Sequence, residues 1–131
     1  MKKCFKFAKE NSLSLGIVYR PIVKVGLIDA DGDLFELGML VDSGADISIF
    51  SKRIGDIMGV DVEQGDEKIF RGIVGELIAY VHSIQMLING RKVETRVAFA
   101  ISEVPNLLGR LDVFDVFEIC FTKGEDFCFS D

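Results

Sequence analysis

The sequence predicts an all-β protein: a small closed β-barrel of mainly antiparallel pairs, with one or two short helices. Three observations carry that expectation. Short runs rich in β-branched residues recur along the chain. Turn-forming residues separate them, with Asn89-Gly90 the strongest turn signal. Only the stretch from Ser51 to Gly59 sets apolar residues at helical spacing between a cap and a stop. The 131 residues form one domain, 1–131, because two full cores would need a longer chain.

The elements follow in order. Residues 17–27 read as a strand in which Pro21 marks a start or an edge position. Residues 34–41 are the second, reached through the turn-rich loop Asp29-Ala30-Asp31-Gly32-Asp33. Residues 47–50 continue extended. Ser51 then offers an N-cap, Ile54, Ile57 and Met58 share a helical face, and Gly59 offers a stop. Residues 69–70, 77–88 and 93–101 read as strands, and the turn at Asn89-Gly90 suits two positions with φ > 0. Leu107-Leu108 is a short buried strand ending at Gly109-Arg110. Residues 112–117 make one or two helical turns, and residues 118–121 and 126–129 close a hairpin around Gly124.

Composition excludes several functions. The charge is 15 − 21 = −6, the wrong sign for gripping a phosphate backbone, so no nucleic-acid partner is expected. Hydrophobic residues are 49% of the chain, enough for a core and too many for disorder. The longest uncharged run, residues 77–90, is fourteen residues and includes His82, Ser83 and Gln85. It is too short and polar for a helix to span a bilayer, so no membrane role is expected. Lys2 and Lys3 lead into Cys4, Lys6, Lys9 and Glu10 rather than an apolar stretch, so no secretory leader is expected. Cys4, Cys120 and Cys128 are an odd set without metal-site spacing, read as reduced thiols of a cytoplasmic protein.

One segment carries chemistry. In Leu40-Val41-Asp42-Ser43-Gly44-Ala45-Asp46, two large apolar residues run straight into a carboxylate, a hydroxyl and a glycine. The apolar lead-in delivers Asp42 at a strand end, and Ser43 and Gly44 turn the chain. Two carboxylates held side by side share a proton, acting as base toward water and acid toward a carbonyl or leaving amine. The chain offers one such Asp, and a symmetric dimer would offer the second. The plainer reading of the same residues is a strand followed by an Asx-type turn in which Asp42 or Ser43 caps local N–H groups.

The chain resembles the retropepsin-like aspartic peptidases, the single-lobe, homodimeric relatives of pepsin and of retroviral proteases. Asp42-Ser43-Gly44-Ala45 is similar to their catalytic motif, with Asp46 following. Leu107-Leu108-Gly109, followed by Arg110, is similar to their second signature roughly 65 positions on. Between them, Phe70-Arg71-Gly72-Ile73-Val74-Gly75 is similar to the glycine-bearing flap, with Val74 where many relatives carry glycine. The resemblance runs over about 20–121 and leaves the ends, 1–15 and 122–131, unassigned. It implies an acid-protease-type barrel, peptide or protein substrates, a homodimer and no metal or other cofactor. It makes Asp42 the catalytic carboxylate, paired with its copy around one water, and puts Ser43 in the hydrogen-bond lattice joining the two loops. Gly44 and Asp46 would offer main-chain groups to the substrate, Ala45 would complete the turn, and Arg110 would brace Asp46. Gly72, Ile73 and Val74 would form the flap tip, and Leu40 and Leu107 would wall a side-chain pocket. An extended peptide would bind as an added strand. Residues 118–121 and 127–129 would build the dimer sheet.

Other constellations rank lower. Asp29, Asp31 and Asp33 alternate like a calcium loop, but the glycine is misplaced and Leu40 stands where a glutamate is needed, so a solvated turn is expected. Ser43 with His82 lacks the first glycine of a nucleophile elbow, since Val41 stands there; His82 in a strand reads as structural. Asp112, Asp115 and Glu118 read as one solvated helix face, and Lys2, Lys3, Lys6 and Lys9 as a solvated basic terminus. Two functions of different class remain: an aspartic endopeptidase, and a catalytically inactive dimer of the same fold that binds peptides or serves assembly.

Overall fold

The computed structural model describes residues 1–72 and 75–131, so Ile73 and Val74 of the expected flap tip lie outside the described residues. Strands dominate it. The main sheet runs β4 (Ile22–Ile28), β5 (Leu34–Val41), β10 (Leu107–Leu108), β6 (Ser48–Ser51), β9 (Arg91–Ala100), β8 (Gly75–Ile88) and β7 (Asp66–Gly72). A three-stranded sheet joins both termini in the order β1 (Lys2–Lys6), β12 (Asp126–Ser130), β11 (Glu118–Thr122). A separate hairpin pairs β2 (Ala8–Ser12) with β3 (Gly16–Arg20). The one helix among the described residues is α1 (Lys52–Ile57), followed by a 3₁₀ turn over Val62–Gln64. The all-β class is as expected.

The barrel is less regular than expected. β8 changes partner along its length: β7 covers its first half, from Gly72↔Gly75 to Asp66↔Val81, and β4 meets Gln85, Met86 and Leu87 further on. That second contact curls the sheet back on itself, while β7 stays outside the ring as a free hairpin. Pairs are mainly antiparallel; β5–β10 and β6–β9 run parallel. Pro21, without an N–H to donate, separates β3 from β4 where one continuous strand was expected.

Burial explains why these residues choose these elements. Val23, Val25 and Leu27 alternate inward along β4 and are fully or almost fully buried, as are Met86 and Ile88 on β8 and Val97 and Phe99 on β9. The terminal sheet adds Phe127 and Phe129, both fully buried, with Phe5 stacked on Phe127 at 5.4 Å between ring centroids. Asn89 (φ 51°) and Gly90 (φ 76°) make the tight β8–β9 turn that their side chains suit.

Three expectations need correction. The helix buries Ile54 and Gly55, with Met58 just beyond its end, while Ile57 is exposed. Gly55 sits so close to Val62 and Phe99 that a Cβ would lie 2.6 Å and 3.1 Å from their side chains, so the face toward the core turns on that glycine. Residues 112–117 form turns rather than a helix, because Asp112 adopts φ 64° and breaks the helical path. Its carboxylate is no solvated helix face: it accepts from the Arg96 backbone N–H and from Arg96 Nε and Nη2 at 3.0, 2.8 and 2.9 Å. Finally, Cys4 and Cys128 form a disulfide and only Cys120 is free, so the expected set of three reduced thiols is wrong. Antiparallel register sets the two cysteines opposite each other across a sequence separation of 124, which spacing along the chain does not reveal. The cytoplasmic expectation rested on reduced thiols and loses that support. Among the described residues no helix is long and apolar enough to cross a membrane.

The Arg96 fork holds the Asp112 carboxyl below the usual carboxylate range. A depressed folded value stabilises the fold above the unfolded value of about 3.9, and the contribution fades as pH falls through the folded value. Arg96 is half exposed, which limits the pair to about 1 kcal/mol. Asp112→Asn keeps a residue that tolerates φ > 0. It should therefore lower the unfolding free energy by about 1 kcal/mol at pH 7 and by much less near pH 2, read from urea melts at both pH values. An equal loss at both would mean that the charge is irrelevant.

Candidate active site

Asp42 stands immediately after β5, at the point where the chain leaves the sheet. Its backbone N–H donates to Leu108 O at 3.0 Å, continuing the parallel ladder that Leu40 N–H begins on Asn106 O at 2.9 Å. The carboxylate is half buried, and its Oδ1 accepts from Gly44 N–H at 2.9 Å. Ala45 N–H closes the turn on Asp42 O at 3.1 Å. The plainer Asx-turn geometry is therefore present, and it holds the carboxylate in place rather than competing with a chemical role.

The loop is tied down from the other side. After β10, Gly109 N–H donates to the buried Ser48 Oγ at 3.0 Å, Arg110 N–H to Ala45 O at 3.0 Å and Leu111 N–H to Asp46 O at 3.0 Å. The Arg110 guanidinium donates to Ser43 O and pairs with the Asp46 carboxylate. At Gly109 two backbones nearly touch: a Cβ there would lie 2.4 Å from both C and O of Ile47 and 2.9 Å from Ser48 N. Glycine is required by space, not by φ. The structure thus brings Asp42, Ser43, Gly44, Ala45, Asp46 and Arg110 into one interlocked unit. Asp42 and Gly44 share a hydrogen bond, and Ser43, Gly44 and Asp46 are exposed.

Leu40 and Leu107 face each other in register but line different hollows. Leu107 lines an apolar groove of about 560 Å³ with Ile49, Phe70, Leu77 and Val104, rimmed by Arg71 and Glu76. Leu40 lines a smaller one with Ile22, Pro105 and Asn106. Among the described residues these two leucines do not share the one pocket expected of them. Gly72 ends β7 opposite Gly75, which starts β8 at φ 123°. Sequence reasoning missed Ser48, whose buried hydroxyl anchors Gly109, and the groove residues Ile49, Phe70, Leu77 and Val104. For Phe70 and Leu77 the available signal was strand alternation on the two sides of the glycine-bearing hairpin.

The rival sites dissolve into structure. His82 packs edge-on to Phe99 at 5.7 Å and donates from Nε2 to Val62 O at 2.7 Å, a structural histidine. Asp29 Oδ1 accepts from Asp31 N–H and Asp33 N–H at 2.9 and 2.8 Å, so the expected solvated turn is also capped by its own first residue. Among the described residues no cluster of acidic, histidine or cysteine side chains has the arrangement of a metal site.

No family model matches the sequence. No curated protein matches it either. Solved structures do. The fold is similar to that of a retropepsin-like aspartic protease from Rickettsia conorii, at a TM-score of 0.67 and 15% identity over 95% of this chain and 98% of that one. It is also similar to EIAV protease complexed with the inhibitor HBY-793, at a TM-score of 0.54 and 23% identity over 70% of this chain and 82% of that one. At those identities the likeness is one of fold: this chain is retropepsin-like in architecture.

The crossing at Gly109 makes a sharp prediction. Gly109→Ala forces backbone against backbone and should cost about 3 kcal/mol. In a chain of this size that lowers Tm by roughly 10 °C. A Gly109→Ala protein that melts with the parent would mean that the two segments do not approach as closely as described.

Proposed function

We propose that this retropepsin-like chain is an aspartic endopeptidase, active as a homodimer in which the Asp42 carboxylates of two copies meet on a two-fold axis. The observation that carries the reading is the Asp42 loop itself. Asp42 stands half buried at a strand end, its backbone N–H on Leu108 O and its carboxylate on Gly44 N–H. A fold alone does not make an enzyme; the support for chemistry is that the Asx turn presents this one carboxylate at the open end of the strand, beside the apolar groove lined by Leu107.

The chemistry follows from the pair. One carboxylate, ionised, takes a proton from the water between the two. The other, protonated, donates to the oxygen of the scissile carbonyl, and the proton taken from water passes to the leaving nitrogen as the tetrahedral intermediate collapses. No metal or organic cofactor enters these steps. The substrate backbone lies extended against main-chain groups of Gly44 and Asp46, under the hairpin that β7 enters at Gly72, as an added strand. Its side chains alternate into the hollows lined by Leu40 and Leu107. Ser43 links the two loops across the axis, and Arg110 holds Asp46 and the Ser43 carbonyl so that the loop keeps its shape. Substrates are peptides or unfolded protein segments able to adopt an extended form.

The test is digestion of a diverse peptide mixture across pH 4 to 8, read by mass spectrometry, with Asp42→Asn beside the wild type. Cleavage should vanish in the variant, by a factor of roughly 10³ or more. The wild-type rate should trace a bell on the acid side, with apparent values that belong to the pair. The active species should sediment as a dimer. No cleavage by a protein that is demonstrably dimeric would transfer the reading to a peptide-binding or assembly module of the same fold. A rate that climbs steadily into alkaline pH would remove the dyad.

A further inference from the structure

The three cysteines stand in one row across the terminal sheet. β12 lies between β1 and β11, and Cys128 is the register partner of Cys4 on one side and of Cys120 on the other. Directly opposed residues project from the same face of a sheet. Phe127 and Phe129 are buried on the inner face, so the three sulfurs share the outer one. The adjacent rows on that face are Lys2–Ser130–Glu118 and Lys6–Asp126–Thr122. Cys4 is bonded to Cys128, and Cys120 is free and exposed.

The ladder sets the spacing. The Cys4 and Cys128 Cα atoms are 4.0 Å apart, the close approach of a non-hydrogen-bonded pair. A residue of an inner antiparallel strand turns its N–H and C=O toward one neighbour only, so Cys128 turns them toward β11. Cys120 then opposes it as a hydrogen-bonded pair, with Cα atoms about 5.5 Å apart. That lies within the usual Cα separation of a disulfide, roughly 4.4–6.8 Å, and closing the bond draws the two Cβ atoms in from about 5.5 Å to about 4 Å.

We propose that Cys120 is the third member of an intramolecular disulfide-exchange site, in which the crosslink migrates between Cys4–Cys128 and Cys120–Cys128. The Cys120 thiolate attacks Cys128 Sγ, the Cys4–Cys128 bond breaks, and its electron pair leaves on Cys4 Sγ. Cys4 takes up from solvent the proton that Cys120 released. No oxidant or reductant is consumed. Attack falls on Cys128 rather than Cys4 because Cys4 is one strand further away. The order of the row also puts the attacking, central and leaving sulfurs in sequence.

The two crosslinks restrain different things. Cys4–Cys128 ties the two ends of the chain across 124 positions, whereas a Cys120–Cys128 bond closes only the β11–β12 hairpin. Migration therefore releases the N-terminal strand, which pairs with β12 alone, from its covalent tether. Glu118 accepts from the Cys120 thiol at 3.5 Å and raises it above its ordinary value, opposed by Lys2 on β1. Lys6 and Asp126 occupy the row on the other side. Exchange is accordingly slow at neutral pH and quickens as Cys120 ionises.

Folded protein held at pH 8.5 without reductant, then quenched with acid, alkylated and mapped by mass spectrometry, tests this. Two isomers are expected, one with Cys120 free and one with Cys4 free, and Glu118→Gln should reach the same mixture several-fold faster at pH 7. Cys120→Ser should retain only Cys4–Cys128. Reduced Cys4→Ser, given oxidised glutathione, should close Cys120–Cys128 within one chain. The proposal is overturned if Cys120 is the only thiol ever alkylated in the wild type. It is equally overturned if Cys4→Ser ends with glutathione adducts or crosslinks between chains in place of the internal bond.

Discussion

The near-contact of two backbones at Gly109 and Ile47-Ser48 is the constraint on which the rest of the structure depends. β10 is only two residues long, yet it is wedged between β5 and β6, parallel to one and antiparallel to the other. It fits because Gly109 presents no side chain where Ile47 C and O leave no room for one. Once seated, β10 and the three residues after it supply partners for Asp42 N–H, Ala45 O, Asp46 O and the Ser48 hydroxyl. Backbone groups in a turn between strands must find partners somewhere. Here Asp42 N–H finds β10, and Ala45 O and Asp46 O find the residues just beyond it. The position of the carboxylate is thus a consequence of packing far from its own side chain.

That arrangement explains why a single chain looks unfinished. Everything needed to hold one carboxylate is present within the chain, from Gly44 N–H on Oδ1 to the Arg110 guanidinium under the loop. What a single carboxylate lacks is a second to share its proton. Among the described residues the apolar groove beside Leu107 is open, and Leu40 faces a separate hollow. In the proposed homodimer, a two-fold axis near Asp42 would supply the second carboxylate and a second set of hollows with one operation.

Legibility in the sequence followed the range of the interactions. The Asp42 loop, the Leu107-Leu108-Gly109 strand and the Asn89-Gly90 turn were readable because their chemistry is local: a motif, a glycine, a pair of residues that tolerate φ > 0. Residues 1–6 were not readable as a strand, since Lys2, Lys3 and Lys6 obscure alternation and the partner, β12, lies at the far end of the chain. The Cys4–Cys128 bond was hidden for the same reason. The αL turn at Asp112 was mistaken for helix because its cause is Arg96, on another strand. The change of partner along β8 leaves no mark on its own composition. Ser48 looked like one more strand residue until the crossing strand was seen to lean on its hydroxyl.

Whether two Asp42 carboxylates form one site is decided by calorimetric titration with a statine-type peptide inhibitor, whose hydroxyl occupies the place of the attacking water. A shared site binds one inhibitor per two chains and loses it in Asp42→Asn. One inhibitor per chain, or binding indifferent to Asp42→Asn, would rule the shared site out.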